Sequence, residues 1–269
     1  MNPQTISEQL MFNTVRLVAS DGSSGTGFFY NFNTNEKTYP VIITNKHVVN
    51  NNPNETMTFY LHLCTGERES NENYKVTYAT QWHFHSNKDL CFCFINPVFE
   101  SVKNSTGKDV FYIANNNSIL ATKQKLNELS ALEELVMVGY PIGLWDEKNN
   151  FPIFRKGYTA SHPAYDFNEK GIGLIDMACF PGSSGSPIYI LNETSYSDKK
   201  GNMYMGKRVI LIGILYAGPR YNAQGDLIVT TIPTHQKIQT TTPMMINLGY
   251  YIKAHELQEF EDYISNNFS

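Results

Sequence analysis

Short apolar runs recur along the whole chain, rich in Val, Ile, Phe, Tyr and Thr, and each is bounded by Gly, Asn, Asp or Ser. Runs of that length and composition predict β-strands. The pattern predicts strands over 14–19, 27–32, 39–44, 56–63, 75–84 and 90–95, with a weaker one at 110–113. A second set covers 135–140, 153–161, 171–179, 187–191, 209–217, 227–233 and 249–253. Turn-formers punctuate them at 21–25, 50–54, 115–117, 198–202 and 223–226. Many short strands with such punctuation imply an all-β barrel or sandwich.

Two stretches carry helical spacing instead. In 120–132, Leu126, Leu129 and Leu132 recur as on one helix face, which predicts a connector helix. In 254–266, Leu257, Phe260, Tyr263 and Ile264 share a face opposite a row of acids. That segment is expected to be a C-terminal helix covering an apolar barrel face. The strands then fall into two halves of one domain. The first barrel spans about 1–115, the connector 116–134, and the second barrel with its helix 135–269.

Composition narrows this picture a little. At 269 residues the chain can bury a substantial core, and 41% apolar with 17% charged residues fits a globular protein. A net charge of −4 with no basic block gives no reason to expect nucleic acid as a partner. No apolar run is long enough to span a membrane. Residues 1–11 lack the basic start and apolar core of a secretory signal, so a cytoplasmic location is expected. Cys64, Cys91, Cys93 and Cys179 are then expected as free thiols.

The candidate chemistry centres on Phe180-Pro181-Gly182-Ser183-Ser184-Gly185-Ser186-Pro187. Small side chains and two glycines let another molecule approach the main chain, and a serine in such a turn exposes its hydroxyl. Amides beside it can converge on one point, which is the geometry of a nucleophile with an oxyanion hole. A serine needs a base, and the base needs an orienting carboxylate. His47 follows the apolar strand Val41-Ile42-Ile43-Thr44, and Asp89 stands at the mouth of the apolar run Leu90–Ile95. The order His47, Asp89, Ser184 is one of the known orders of a Ser-His-Asp triad.

Those segments together resemble the trypsin-like serine proteases. Thr44-Asn45-Lys46-His47-Val48 is similar to their histidine segment, Asp89-Leu90-Cys91 to their aspartate segment, and Gly182-Ser183-Ser184-Gly185-Ser186-Pro187 to their nucleophile segment. Gly25-Thr26-Gly27-Phe28, Gly139-Tyr140-Pro141-Ile142-Gly143 and Gly213–Gly218 match further family stretches in family order, the Gly-Tyr-Pro-x-Gly loop in the manner of bacterial members. The resemblance implies two packed antiparallel β-barrels, with His47 and Asp89 from the first and Ser184 from the second. It implies an oxyanion hole made by the N–H groups of Gly182 and Ser184, an acyl-enzyme, and a cytoplasmic prokaryotic endopeptidase without metal or cofactor. Its partners would be a polypeptide substrate, no nucleic acid and no membrane, with a regulatory protein left open.

The same resemblance implies where the side chain before the scissile bond sits. Ala178, six residues before Ser184, would floor the pocket; Tyr216, Ala217 and Gly218 would wall it; Cys179 and Phe180 would add apolar surface. A neutral, apolar preference follows, with Asp226 as the residue that could supply a negative charge instead. Ser183 stands where zymogen-forming members carry an aspartate, so the uncut chain is expected to reach the active state.

Three alternatives compete. An α/β-hydrolase elbow would need a helix after Ser184, yet 187–191 has strand character. The His83-x-His85 and Cys91-x-Cys93 pairs could hold a metal across a hairpin, although half-buried His and Cys are ordinary core and rim residues. A catalytically silent binding module would keep the fold without the chemistry, but all the triad residue types are present.

Overall fold

The computed structural model describes residues 1–34, 37–64, 70–169, 171–226, 239–245 and 247–268. The first half forms a sheet from β1 (Thr14–Val18), β2 (Ser24–Thr34), β3 (Lys37–Thr44), β4 (Thr56–Cys64), β5 (Ser70–Ala79), β6 (His83–Phe84) and β7 (Cys91–Phe94). Its strand order is β5-β4-β1-β2-β3-β7-β6, with β8 (Val110–Phe111) added on β4 and β9 (Asn115–Asn116) on β2. The second half closes into a six-stranded barrel. Its strands are β10 (Glu134–Gly139), β11 (Ile153–Thr159), β12 (Ile172–Asp176), β13 (Pro187–Asn192), β16 (Arg208–Ala217) and β19 (Leu248–Lys253). Two hairpins stand outside it, β14 (Ser195–Ser197) with β15 (Met203–Met205), and β17 (Arg220–Asp226) with β18 (Gln239–Met245).

The period-2 alternation of the strands separates three cores. On β2 and β3, Phe29 and Ile42 point into the first sheet with Val15, Leu17, Phe59, Trp82, Cys91 and Cys93. Phe28, Tyr30, Phe32, Val41 and Ile43 point the other way, where they meet Val138, Tyr189, Leu211 and Ile214 of the second barrel. Strands buried on both faces are apolar at consecutive positions, which is why Val41-Ile42-Ile43 is unbroken. The third core fills the second barrel with Leu135, Met137, Ile175, Ile188, Ile190, Ile212 and Tyr251. The shared core between the two units fixes one against the other.

The C-terminal segment is a 3-10 turn over Ala254–Leu257 followed by helix α4 (Gln258–Phe268). Ala254, Leu257, Phe260 and Ile264 are buried in the shared core, the covering role expected of this helix. The connector differs from expectation. It holds only a 3-10 turn (Asn117–Ile119) and the five-residue helix α3 (Lys123–Asn127), numbered after α1 (Ile6–Met11) and α2 (Asn96–Thr106). Leu126 and Leu129 are buried, but Leu132 is 67% exposed. The chain turns away after Glu128, where Ser130 N–H donates to Glu133 Oε1 instead of continuing the helix.

Further expectations are redrawn. The 75–84 run divides into β5 and β6, because Trp82 N–H bonds Pro53 C=O and its ring is buried in the first core. The turn-former clusters at 115–117 and 223–226 contain the paired residues of β9 and β17. Helices α1 and α2 escaped the strand pattern although each has terminal signals. Thr5 and Glu8 form a capping box on α1. Pro97 opens α2, Val98 and Val102 are its buried face, and Gly107 at φ +73° ends it. The strand expected over 227–233 lies outside the described residues.

Candidate active site

His47 and Asp89 are neighbours because their strands are. β3 pairs antiparallel with β7, Thr44 opposite Cys91, so the chain leaving β3 and the chain entering β7 lie side by side. The 3-10 turn Lys46–Val49 carries His47 and ends on Asn50 in the left-handed region. Asn45 Nδ2 donates to Asp89 C=O at 2.7 Å, and His47 N–H donates to Asp89 Oδ1 at 3.1 Å. The other carboxylate oxygen, Oδ2, lies 2.5 Å from His47 Nδ1. A bond this short between an imidazole N–H and a carboxylate fixes the tautomer with its proton on Nδ1 and leaves Nε2 as an acceptor.

Ser184 sits on the loop between β12 and β13, and that loop is built by main-chain contacts. Ser184 C=O accepts from Thr26 N–H and Gly185 N–H donates to Leu215 C=O, both at 2.9 Å. Gly185 has φ +85°, and a Cβ there would collide with the Thr26 carbonyl oxygen. Gly182 has φ +86° and faces the Tyr140 carbonyl in the same way. Pro181 C=O accepts from Ile142 N–H at 2.5 Å. The two ends of a trans peptide point oppositely, so this bond turns the Gly182 N–H away from the 140–143 loop. Thr26 ties the loop to β2, because its hydroxyl donates to Gly182 C=O and accepts from Tyr140 N–H, each at 3.0 Å. The amides of Gly182 and Ser184 have no hydrogen-bond partner among the described residues.

Both arms open on one cavity of about 440 Å³. Its lining includes His47, Ser184, Gly182, Cys179, Phe180, Leu215, Tyr216, Ala217 and Gly218, together with Ser23 and Ser24. Most of the anticipated pocket residues are therefore present. Ala178 is the exception: it does not line the cavity, and its carbonyl accepts a hydrogen bond from Arg155 Nη1. Cys179 lines the cavity as expected of it, its sulfur against Gly249, and burial pushes its thiol up to about 11. Arg155, which no sequence motif announced, also stacks on Phe180, its guanidinium carbon 4.8 Å from the ring centre. Asp226 lies on β17 opposite Gln239, and its side chain is outside the described residues.

The His-Cys set is dispersed. The His83 ring stacks on Phe92 and hydrogen-bonds Tyr263, His85 turns toward α4, and Cys91 and Cys93 are buried in the first core. Among the described residues no group of three or more His, Cys, Asp or Glu side chains could hold a metal ion.

The family model for the trypsin-like peptidase domain matches residues 25–194. The chain belongs to that family, and its β architecture is the chymotrypsin-like one. The match spans the histidine, aspartate and serine segments and stops before β16 and α4. Among solved structures the chain is similar to Deg5, with 16% identity over 78% of this chain and 81% of that one, at a TM-score of 0.45. It is also similar to the scabies mite inactivated protease paralogue S-I1, with 9% identity over 96% of this chain and 97% of that one, at a TM-score of 0.49. Among curated proteins none matches.

Proposed function

We propose that the chain is a serine endopeptidase that cleaves after neutral, apolar residues. The observation that carries this reading is the Asp89-oriented His47 opening on the same cavity as Ser184. His47 Nε2 takes the Ser184 proton as Oγ attacks the substrate carbonyl. The Gly182 and Ser184 amides receive the developing oxyanion, with donors already aimed and nothing else to satisfy. His47 then gives the proton to the leaving amine, and water repeats the sequence to release the acyl group.

The preference for neutral side chains rests on what surrounds the pocket. Among the described residues no carboxylate lines the cavity, and the Arg155 guanidinium lies over the Phe180 ring. A lysine or arginine side chain would be desolvated there beside a like charge, whereas an apolar one gains from burial. Ser183 supports activity of the uncut chain, since its buried hydroxyl offers a new N-terminal ammonium no charge to pair with. The free thiols agree with a cytosolic setting.

A fluorophosphonate probe followed by peptide mapping tests the assignment. Label on Ser184 alone, with Ser184→Ala folded but inert, is the expected outcome. Label on Ser183 or Ser186, or hydrolysis by Ser184→Ala, would sink it. Cleavage of a peptide library should fall after apolar residues; dominant cleavage after Lys or Arg would transfer the pocket's charge to Asp226.

A further inference from the structure

Helix α4 and the loop that delivers Asp89 meet around one buried imidazole and are hydrogen-bonded through Ser86. His85 is only 3% exposed and lies four residues before Asp89. Its Nδ1 accepts from the N–H groups of both Asn87 and Lys88, each at 3.1 Å. A nitrogen that accepts two amides carries no proton, so the ring proton is on Nε2. That nitrogen faces Glu259 Oε2 at 3.3 Å and Glu256 Oε2 at 3.7 Å, both from the C-terminal segment. Glu259 also accepts from Ser86 N–H at 2.6 Å and from Ser86 Oγ at 2.7 Å. The Phe260 ring closes over the imidazole edge-on.

We propose that His85 and Glu259 are positioning residues for Asp89, so that the C-terminal helix sets the aspartate–histidine pair. In the loop 85–90, Lys88 Nζ also reaches Glu256 Oε1 at 4.0 Å. His85 N–H bonds Leu90 C=O across the loop neck, and Asn45 holds the Asp89 carbonyl. The amides of residues 86, 87 and 88 all end on Glu259 or His85. Releasing them lets the loop pivot on its neck, and Asp89 is one residue from that pivot. The Asp89 carboxylate must meet the His47 backbone N–H and ring together, so a small rotation breaks one contact or both. The buried surface of α4 would hold the helix in place without either polar residue. The imidazole and carboxylate therefore serve the loop rather than the helix.

This rests on the protease reading for its meaning but not for its test. The test is proton NMR of the deshielded His47 Nδ1–H, read beside kcat and KM, in the full-length chain. Glu259→Ala and His85→Ala should move or broaden that resonance, and kcat should fall about ten- to a hundredfold with KM unchanged. His85→Asn restores an acceptor for the two amides and should return both readouts toward wild type. Glu259 is partly exposed, so its variant folds even where His85→Ala does not. A Glu259→Ala protein with the wild-type resonance overturns the inference, whether or not kcat has fallen. A wild type that shows the resonance but hydrolyses nothing removes the protease reading and leaves the positioning contact standing.

Discussion

The two arms of the site are built on different principles. The His47–Asp89 arm is held by side chains: an amide on a carbonyl, a carboxylate on a backbone N–H, and an imidazole on a carboxylate. The Ser184 arm is held mainly by the main chain, with the Thr26 hydroxyl on Gly182 C=O and two glycines at positive φ set against carbonyls of other segments. A side-chain arm can lose its chemistry and keep its shape. A main-chain arm cannot be altered at its glycines without moving the loop. The division follows from what each must deliver. In the proposed mechanism the first supplies a base of defined tautomer, which a side-chain partner selects. In that mechanism the second supplies two N–H groups, which only backbone conformation can aim.

The sharpest way to break this contrast is to change one residue in each arm. Asp89→Asn keeps the loop but offers His47 the wrong hydrogen-bonding group, so kcat should fall about 10,000-fold. KM and thermal stability should stay near wild type. Gly185→Ala should do the reverse in kind. The residue must sit at φ +85° and its methyl must displace the Thr26 carbonyl, a combined cost above about 3 kcal/mol. Urea unfolding should show that loss along with loss of activity. A Gly185→Ala protein as stable as wild type would mean that the loop is held by something other than its backbone.

Acid offers a third comparison, between the first sheet and the second barrel. His62 on β4 is 5% exposed, its ring packed on Phe12 and Phe151, and burial depresses it to about 4 from its ordinary 6.5. The unfolded chain therefore binds the extra proton first as pH falls. Stability should be full above about pH 6.5, decline between 6.5 and 4, and have lost roughly 3 kcal/mol below that. His62→Gln should flatten this slope. Amide exchange at pH 5 should open β4 before β10–β13; equal opening of both would assign the acid sensitivity elsewhere.

How much of this was legible in the sequence depended on whether a feature is local. The strands were legible because a short apolar run between turn-formers is a local signal, and the triad candidates because His47, Asp89 and Ser184 each stand in a recognisable segment. The connector failed because Leu126, Leu129 and Leu132 are spaced like a helix face, yet what buries Leu129 is the second barrel's core. The placement of Ala178 is likewise not a local matter. Counting from Ser184 locates a position in the chain, but Arg155, on a strand far away in sequence, determines where that carbonyl is held. The Glu259–His85 contact joins residues with no local signal at all, and only the docking of α4 brings them together.

Thr26 belongs to both arms, so it gives the finest test of whether they are separable. Its N–H holds Ser184 C=O and its hydroxyl holds Gly182 C=O and Tyr140 N–H. Its own carbonyl accepts from Thr44 Oγ1 at 2.7 Å, on the strand that leads to His47. Thr26→Val keeps the shape and the main-chain bonds but strands a buried N–H and a buried C=O. Each such group costs about 1 kcal/mol or somewhat more. Thr26→Ser keeps the hydroxyl and should be nearly neutral. The valine variant should lose about 2 kcal/mol in urea unfolding and bind a peptide boronate, which occupies the oxyanion hole, less tightly. The His47–Asp89 resonance should not move. If it does, the strand β2–β3 pair transmits strain from the nucleophile loop to the base, and the two arms form one unit rather than two.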